Sequence, residues 1–155
     1  MEIKMQATSD SAELKKCNSD DNIIETGQMS ECVSVIMLCT DGTFYGIHCG
    51  GGITGGWPDK ITDLFQQEKK SCKKMVVVFG ANYLSPNEKQ FIGSKIEAVK
   101  NIQKGVCASE LSILCSGNLI LEKTESDIKY KSKNGYYHFL KQDSHDWEKN
   151  DCEKQ

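Results

Sequence analysis

Eight cysteines and three histidines are the side chains of this 155-residue chain best suited to nucleophilic or metal chemistry, and placement sorts them. Cys32 stands where the polar stretch Glu25-Thr-Gly-Gln-Met-Ser-Glu gives way to the apolar run Cys-Val-Ser-Val-Ile-Met-Leu-Cys39. His48 ends the next strand-like run, 43–48, and Asp41-Gly42 between the runs is a hairpin signal. A hairpin brings its distal ends together. Cys32 and His48 are therefore candidates for a thiol nucleophile and its base, with Thr26 just upstream as a third, orienting group. The competing reading is that Cys32 is core, because free cysteine packs as a small hydrophobe, and that His48 is a satisfied surface histidine. A strict two-residue turn at Asp41-Gly42 pairs residue 48 with residue 35 and sets Cys32 and His48 on opposite faces. A catalytic pair thus requires a bulge, a longer loop, or a Cys32 that belongs to the bend before the strand. The polar residues 28–31 favour the bend.

Other cysteine chemistry finds less support. The chain has no C-x-x-C, and several cysteines lie inside apolar runs, so reduced thiols are expected rather than a disulfide framework. Structural zinc brings its ligands in close pairs, whereas only His48 and Cys49 are adjacent here, on opposite faces of a strand. No metal and no cofactor are expected. Cys39, Cys107 and Cys115 read as packing residues.

The elements that must position these residues are punctuated clearly. At 38% hydrophobic, the chain suits one domain able to bury roughly two-thirds of its unfolded surface. Residues 1–22 read as a flexible polar arm, 23–141 as the domain and 142–155 as a charged, frayed tail. Five glycines fall in the eight residues 49–56, and Gly50 and Gly51 begin a loop expected to flank a substrate groove. Pro58 sits in a first helical turn, with Trp57, Ile61, Leu64 and Phe65 as one stripe. The MVVVF run, 75–79, reads as a buried central strand. Ser85-Pro86-Asn87-Glu88 is a capping box opening a helix over 86–104, with Phe91, Ile92, Ile96, Val99 and Ile102 at helical spacing. Strand-like runs at 111–115, 119–122, 127–131 and 136–140, with turn signals at Gly117-Asn118 and Asn134-Gly135, read as a meander. The class is α+β: a layered fold with a mixed, mostly antiparallel β core of about six strands or more, covered by two main helices.

Composition excludes some functions. The net charge is −3 and all 19 basic residues are lysines, so no arginine can grip a phosphate or a base edge bidentately, and nucleic-acid binding is not expected. Apolar runs such as 35–38 and 75–79 fall far short of the ~20 residues of a membrane span, and the N-terminal residues have no apolar signal core. A cytoplasmic protein is expected, or one secreted into a host cell without a cleavable signal.

The segment Thr26-Gly-Gln-Met-Ser-Glu-Cys32-Val-Ser-Val, followed by Gly46-Ile-His48, resembles the active-site stretch of the CheD family of chemoreceptor glutamine deamidases. That family carries a threonine six residues before a Gly-Ser-Cys-Val, and a histidine at the end of the next strand. Val78-Phe-Gly-Ala-Asn82 is similar to its Phe-Gly-Gly-Ala stretch, and Ile92-Gly93 to its Ile-Gly helix start, so the landmarks run in order over about residues 23–140. Ser30-Glu31 replaces the family's Gly-Ser. Met29-Ser30-Glu31-Cys32 is closer to the Leu-Ser-Gly-Cys of the cytotoxic necrotizing factor type toxin deamidases, which share the catalytic fold, and the family's later glycine-arginine feature is absent.

The resemblance implies a protein-glutamine deamidase. Cys32 would be the nucleophile, His48 the general base and acid, and Thr26 the group that orients the imidazole. Ser30, Glu31, Gly50 and Gly51 would form the oxyanion and substrate loop. A nearby carboxylate at Glu31 raises a thiol pKa unless its side chain points away from the sulfur. The implied partner is a protein presenting a glutamine side chain, on a chemoreceptor or a host protein, with a regulatory protein as a further partner and the chain itself a monomer. The alternatives are a catalytically inactive binding module on the same fold and another Cys/His thiol enzyme, such as a protease or an acyltransferase.

Overall fold

The computed structural model describes residues 2–4, 14–17, 22–50, 53, 56–69, 71–89, 92–125 and 127–155. The strands are β1 (Glu2–Lys4), β2 (Leu14–Cys17), β3 (Ile23–Glu25), β4 (Val33–Cys39), β5 (Phe44–Cys49), β6 (Cys72–Phe79), β7 (Glu110–Cys115), β8 (Leu119–Lys123), β9 (Ile128–Ser132), β10 (Tyr136–Lys141), β11 (Asp146–Asp151) and β12 (Glu153–Lys154). The helices are α1 (Trp57–Gln67), α2 (Pro86–Lys89) and α3 (Ile92–Val106), and a 3₁₀ turn covers Ala81–Leu84. Two mixed sheets form, of seven strands in the order β11-β10-β7-β6-β4-β5-β2 and of five in the order β1-β3-β8-β9-β12. The α+β layering expected from the sequence is the fold observed.

Strand β4 shows why the layers stack as they do. All seven of its residues are buried, so both faces are covered. Val33, Val35, Met37 and Cys39 meet Ile61 and Phe65 of α1 and Ile96, Val99 and Ile102 of α3 in one core. Ile36 and Leu38 meet Ile24, Leu119, Leu121 and Ile128 of the smaller sheet in a second. The seven-stranded sheet is thus the middle layer, with helices on one face and a sheet on the other, each core gaining from apolar burial. In place of the one helix expected over 86–104, the structure has two elements, α2 and α3, with residues 90–91, Phe91 among them, outside the described residues, and Ile92, Ile96, Val99 and Ile102 of the expected stripe are buried in the helix-side core. Glycine allows the helices to touch, because a Cβ at Gly105 would stand 2.5 Å from Thr62 Oγ1 on α1.

Three further expectations change. The arm carries strands rather than a loose coil, with β1 parallel to β3 and β2 antiparallel to β5. The 142–155 tail is not frayed: β11 pairs with β10 along its whole length, and the Trp147 ring lies 6.2 Å from that of Phe79. Main-chain pairing at the sheet edge fixes a segment whose side chains are mostly exposed. The meander is also broken: of its four consecutive strands only β8 and β9 pair with each other in sequence. Strand β8 leaves β7 to pair with β3 and β9, and β10 returns to β7, so Gly117-Asn118 and Asn134-Gly135 turn the chain between layers instead of closing hairpins. Gly135 has φ +78°, so the turn chemistry is right while the strand partner differs.

Candidate functional site

Three turn residues set the register that matters. Cys39 N–H donates to Thr43 O at 2.9 Å, Gly42 takes φ +88°, and Asp41 Oδ1 accepts from the Thr43 N–H and hydroxyl. The turn therefore holds Thr40, Asp41 and Gly42, one residue more than a strict two-residue hairpin. His48 consequently pairs with Ser34, not with residue 35. Ile47 and Cys49 lie in the helix-side core, so alternation turns His48 toward the space between the sheets. Cys32 precedes the strand, in the bend, and packs against the inter-sheet core on that same side. His48 and Ser34 are buried at 4% and 0% exposure, while Cys32 is half-buried.

The bend is braced by a distant segment. The carbonyls of Met29, Ser30 and Cys32 accept from the N–H groups of Ala81, Asn82 and Gly80 at 3.2, 3.0 and 2.9 Å, and the Glu31 carbonyl accepts from Tyr83 Oη at 3.0 Å. A trans peptide points its N–H opposite to its carbonyl. Three consecutive carbonyls, those of 29–31, face residues 81–83, so the N–H groups of Ser30, Glu31 and Cys32 turn together to the other side. Such a row of donors is a nest for an anionic oxygen. Gly80 lets the segments come this close: a Cβ there would stand 2.3 Å from Ser30 O.

Thr26 is fully buried at the end of β3 in the facing sheet; its hydroxyl donates to Gly27 O at 2.9 Å and accepts from the Leu119 N–H at 3.0 Å. Its proton is committed, so toward an imidazole it can only accept. Glu31 is exposed, Gly50 follows β5 half-buried, and Gly51 lies outside the described residues. Within the glycine-rich stretch Ile53 is fully buried in the helix-side core. Cys49, one residue beyond His48, is pushed up to about 12 by burial and, second, by the charge of Cys32 when ionised. It stays a neutral thiol beside the candidate nucleophile.

Sequence reasoning missed Ser34, whose hydroxyl contacts Met29 Sδ at 3.0 Å across from His48, and the bracing residues Gly80, Asn82 and Tyr83. A serine within an apolar strand was the available signal for the first. Cys107, read as packing, is exposed at the end of α3 with φ +57°. A groove of about 500 Å³ flanks the bend, lined by Gln28, Met29, Ser30, Asn118, Lys133 and Asn134 among others. A second cavity, of about 610 Å³, opens toward the other end of β6 around Lys74, Tyr130 and Tyr137, away from Cys32. Among the described residues no three His, Cys, Asp or Glu side chains gather as a metal-binding set, and no helix is long and apolar enough to cross a membrane.

No protein-family profile and no curated protein sequence matches the chain. Among solved structures it aligns with the C-terminal domain of CNFy from Yersinia pseudotuberculosis at a TM-score of 0.43 and 11% identity, covering 97% of this chain and 61% of that one. The chain thus spans under two-thirds of that domain's length.

Proposed function

We propose that this chain is a thiol-dependent protein-glutamine deamidase of the CheD-like kind. The observation that carries the reading is the braced bend, whose Met29, Ser30 and Glu31 carbonyls are held by residues 81–83 beside a half-buried Cys32, with His48 facing the same inter-sheet space. The ordered motif resemblance is the second support.

In the reaction, the Cys32 thiolate attacks the carboxamide carbon of a substrate glutamine. The amide oxygen becomes an oxyanion, stabilised by the bend N–H groups at ~3 kcal/mol per donor. Imidazolium at His48 gives its proton to the departing nitrogen, which leaves as ammonia, and the carbon–sulfur bond remains as a thioester. Neutral His48 then takes a proton from water, hydroxide adds to the thioester, and glutamate departs as the sulfur is released. In this reading Thr26, whose hydroxyl proton is held by Gly27 O, would accept from one ring N–H in the reacting complex and leave the other nitrogen to face the sulfur. The substrate is a protein glutamine, carried by a chemoreceptor or by a host protein.

The test compares the chain with Cys32→Ala on glutamine-containing proteins, reading ammonia release and the amide-to-acid mass change at individual glutamines. Conversion by wild type alone is expected, with His48→Ala slowed ~10²–10⁴-fold. Equal conversion by Cys32→Ala, or none by wild type across receptor and host lysates, would overturn the reading; cleavage of the backbone instead would assign a protease.

A further inference from the structure

Strands β7 and β10 are joined at two positions, Leu114 with Phe139 and Cys115 with His138. Past that point β7 extends back to Glu110 and β10 on to Lys141, with no register between them. The Gln142 side chain crosses the parting, its Nε2 donating to Leu111 O at 3.5 Å. Main-chain groups along parted strands have no ladder partner there and must be met by side chains, water or a ligand. The cavity of about 610 Å³ lies in this split, with residues 111–114 on one side and 139–142 on the other. Its volume is that of a small-molecule site.

The walls differ in chemistry. Leu114, Tyr137 and Phe139 face the inter-sheet core, and Tyr130 reaches it from β9 of the facing sheet. The Tyr130 and Tyr137 rings meet edge to face at 5.2 Å and 68°. Alternation puts Ser112 on the same side as Leu114, and Lys74 on the same side as Val76 of that core. The buried Tyr130 hydroxyl lies beside Ser112 and Lys74 without a hydrogen bond of good geometry, and burial raises its pKa, so it keeps its proton. Burial alone would lower the Lys74 pKa, but the Asp127 hydrogen bond and neighbouring charges outweigh it, so the ammonium stays charged. That bond, 2.7 Å long, takes one of three N–H donors, and Asp127 is not part of the cavity wall. The wall's other charges, Lys141 and Asp143, are exposed at the rim, and Lys141 is paired with Glu148 at 3.1 Å.

We propose that this cavity binds a small planar aromatic carboxylate, its ring against Tyr137 and Phe139 and its carboxylate accepting from Lys74, Tyr130 and Ser112. The inner wall offers an ammonium and two hydroxyls, which match an anionic acceptor through charge-assisted bonds. An amine ligand would meet the Lys74 charge instead. The rings supply apolar area and edge-to-face contacts for a flat partner. The site lies away from Cys32 and stands whether or not Cys32 is catalytic.

The experiment titrates the isotope-labelled chain with naphthoate and, separately, with the neutral naphthamide, following main-chain signals by heteronuclear NMR. Saturable shifts confined to residues 111–114, 130 and 137–142 are expected, with naphthoate binding the more tightly. Lys74→Met keeps the apolar stem and should weaken naphthoate roughly ten- to a hundredfold while leaving naphthamide unchanged. Tyr130→Phe keeps the ring and should weaken naphthoate several-fold. No saturable shift with naphthoate, shifts scattered outside the cavity, or equal affinity for the two probes would overturn the proposal, as would undiminished naphthoate binding by Lys74→Met. Should that variant fail to fold, Tyr130→Phe and the naphthoate-to-naphthamide ratio on wild type decide.

Discussion

Replacing Gly80 with alanine tests whether residues 80–83 hold the Cys32 bend in place. Gly80 has φ −65° and ψ 164°, which any residue adopts, so the substitution costs no backbone conformation and its whole effect is spatial. The new Cβ would lie 2.3 Å from Ser30 O and 2.6 Å from Ser30 C, against an ordinary contact that begins at 3.4 Å. Both atoms are backbone and cannot swing aside, so the bend must retreat by about 1 Å. The Asn82-to-Ser30 and Gly80-to-Cys32 bonds, 3.0 and 2.9 Å long, would then exceed hydrogen-bond length. At ~1 kcal/mol net for each bond, plus strain of similar size, Gly80→Ala should cost about 2–4 kcal/mol. The assay is urea unfolding, with Gly56→Ala as control because nothing lies within 4 Å of a Cβ there. Gly56→Ala should leave the midpoint nearly unchanged, whereas Gly80→Ala should lower it and alter the alkylation rate of Cys32. Equal midpoints and equal Cys32 labelling in the two variants would refute the bracing.

Two further changes probe the frame. Cys107 follows α3 with φ +57°, and the bonds from Cys107 N to Lys104 O and Ala108 N to Gln103 O make a Schellman cap, so Cys107→Gly should stabilise by ~0.5–1 kcal/mol, read as a higher urea midpoint. Asp127 accepts from Lys74 at 2.7 Å, and that hydrogen bond, only partly opposed by burial, holds its carboxyl below the ordinary value of 3.8. Its contribution is complete above that ordinary value and is lost as pH falls through the lower folded value, so the deficit of Asp127→Asn should be constant near neutrality and vanish in acid. The carboxylate is 62% exposed, which keeps this deficit under ~1 kcal/mol in unfolding measured across pH.

The parts of the fold legible in sequence are those whose burial writes a pattern. Strands β4 and β6 are covered on both faces and read as apolar runs, and α3 shows its buried residues at helical spacing. Strand β11 writes no such pattern: it is an edge strand with four of its six residues exposed, held by main-chain bonds that side chains do not announce. Gly135 fixes a turn through its positive φ, yet nothing local tells the chain whether the next strand joins the same sheet or the other one. At the candidate site, Cys32 and His48 stand out by type and spacing. Their brace does not, because Gly80, Asn82 and Tyr83 lie some fifty residues away and act mostly through backbone atoms.

The hairpin between Cys32 and His48 shows how narrow the margin is between the competing readings of the cysteine. Side chains alternate with a period of two, so a single residue in the turn inverts every cross-strand relation beyond it. With Asp41-Gly42 alone as the turn, His48 would face the helices among Val35, Ile61 and Phe65, in a core with nothing for an imidazole to do. Thr40 as a third turn residue, secured by Gly42 in the left-handed region and by the grip of Asp41 on Thr43, moves the pairing by one. His48 then stands opposite Ser34 and faces the inter-sheet space against which Cys32 packs. The turn thereby supplies what the dipeptide signal alone does not: a physical reason for a buried histidine and a half-buried thiol to share one side of the same sheet.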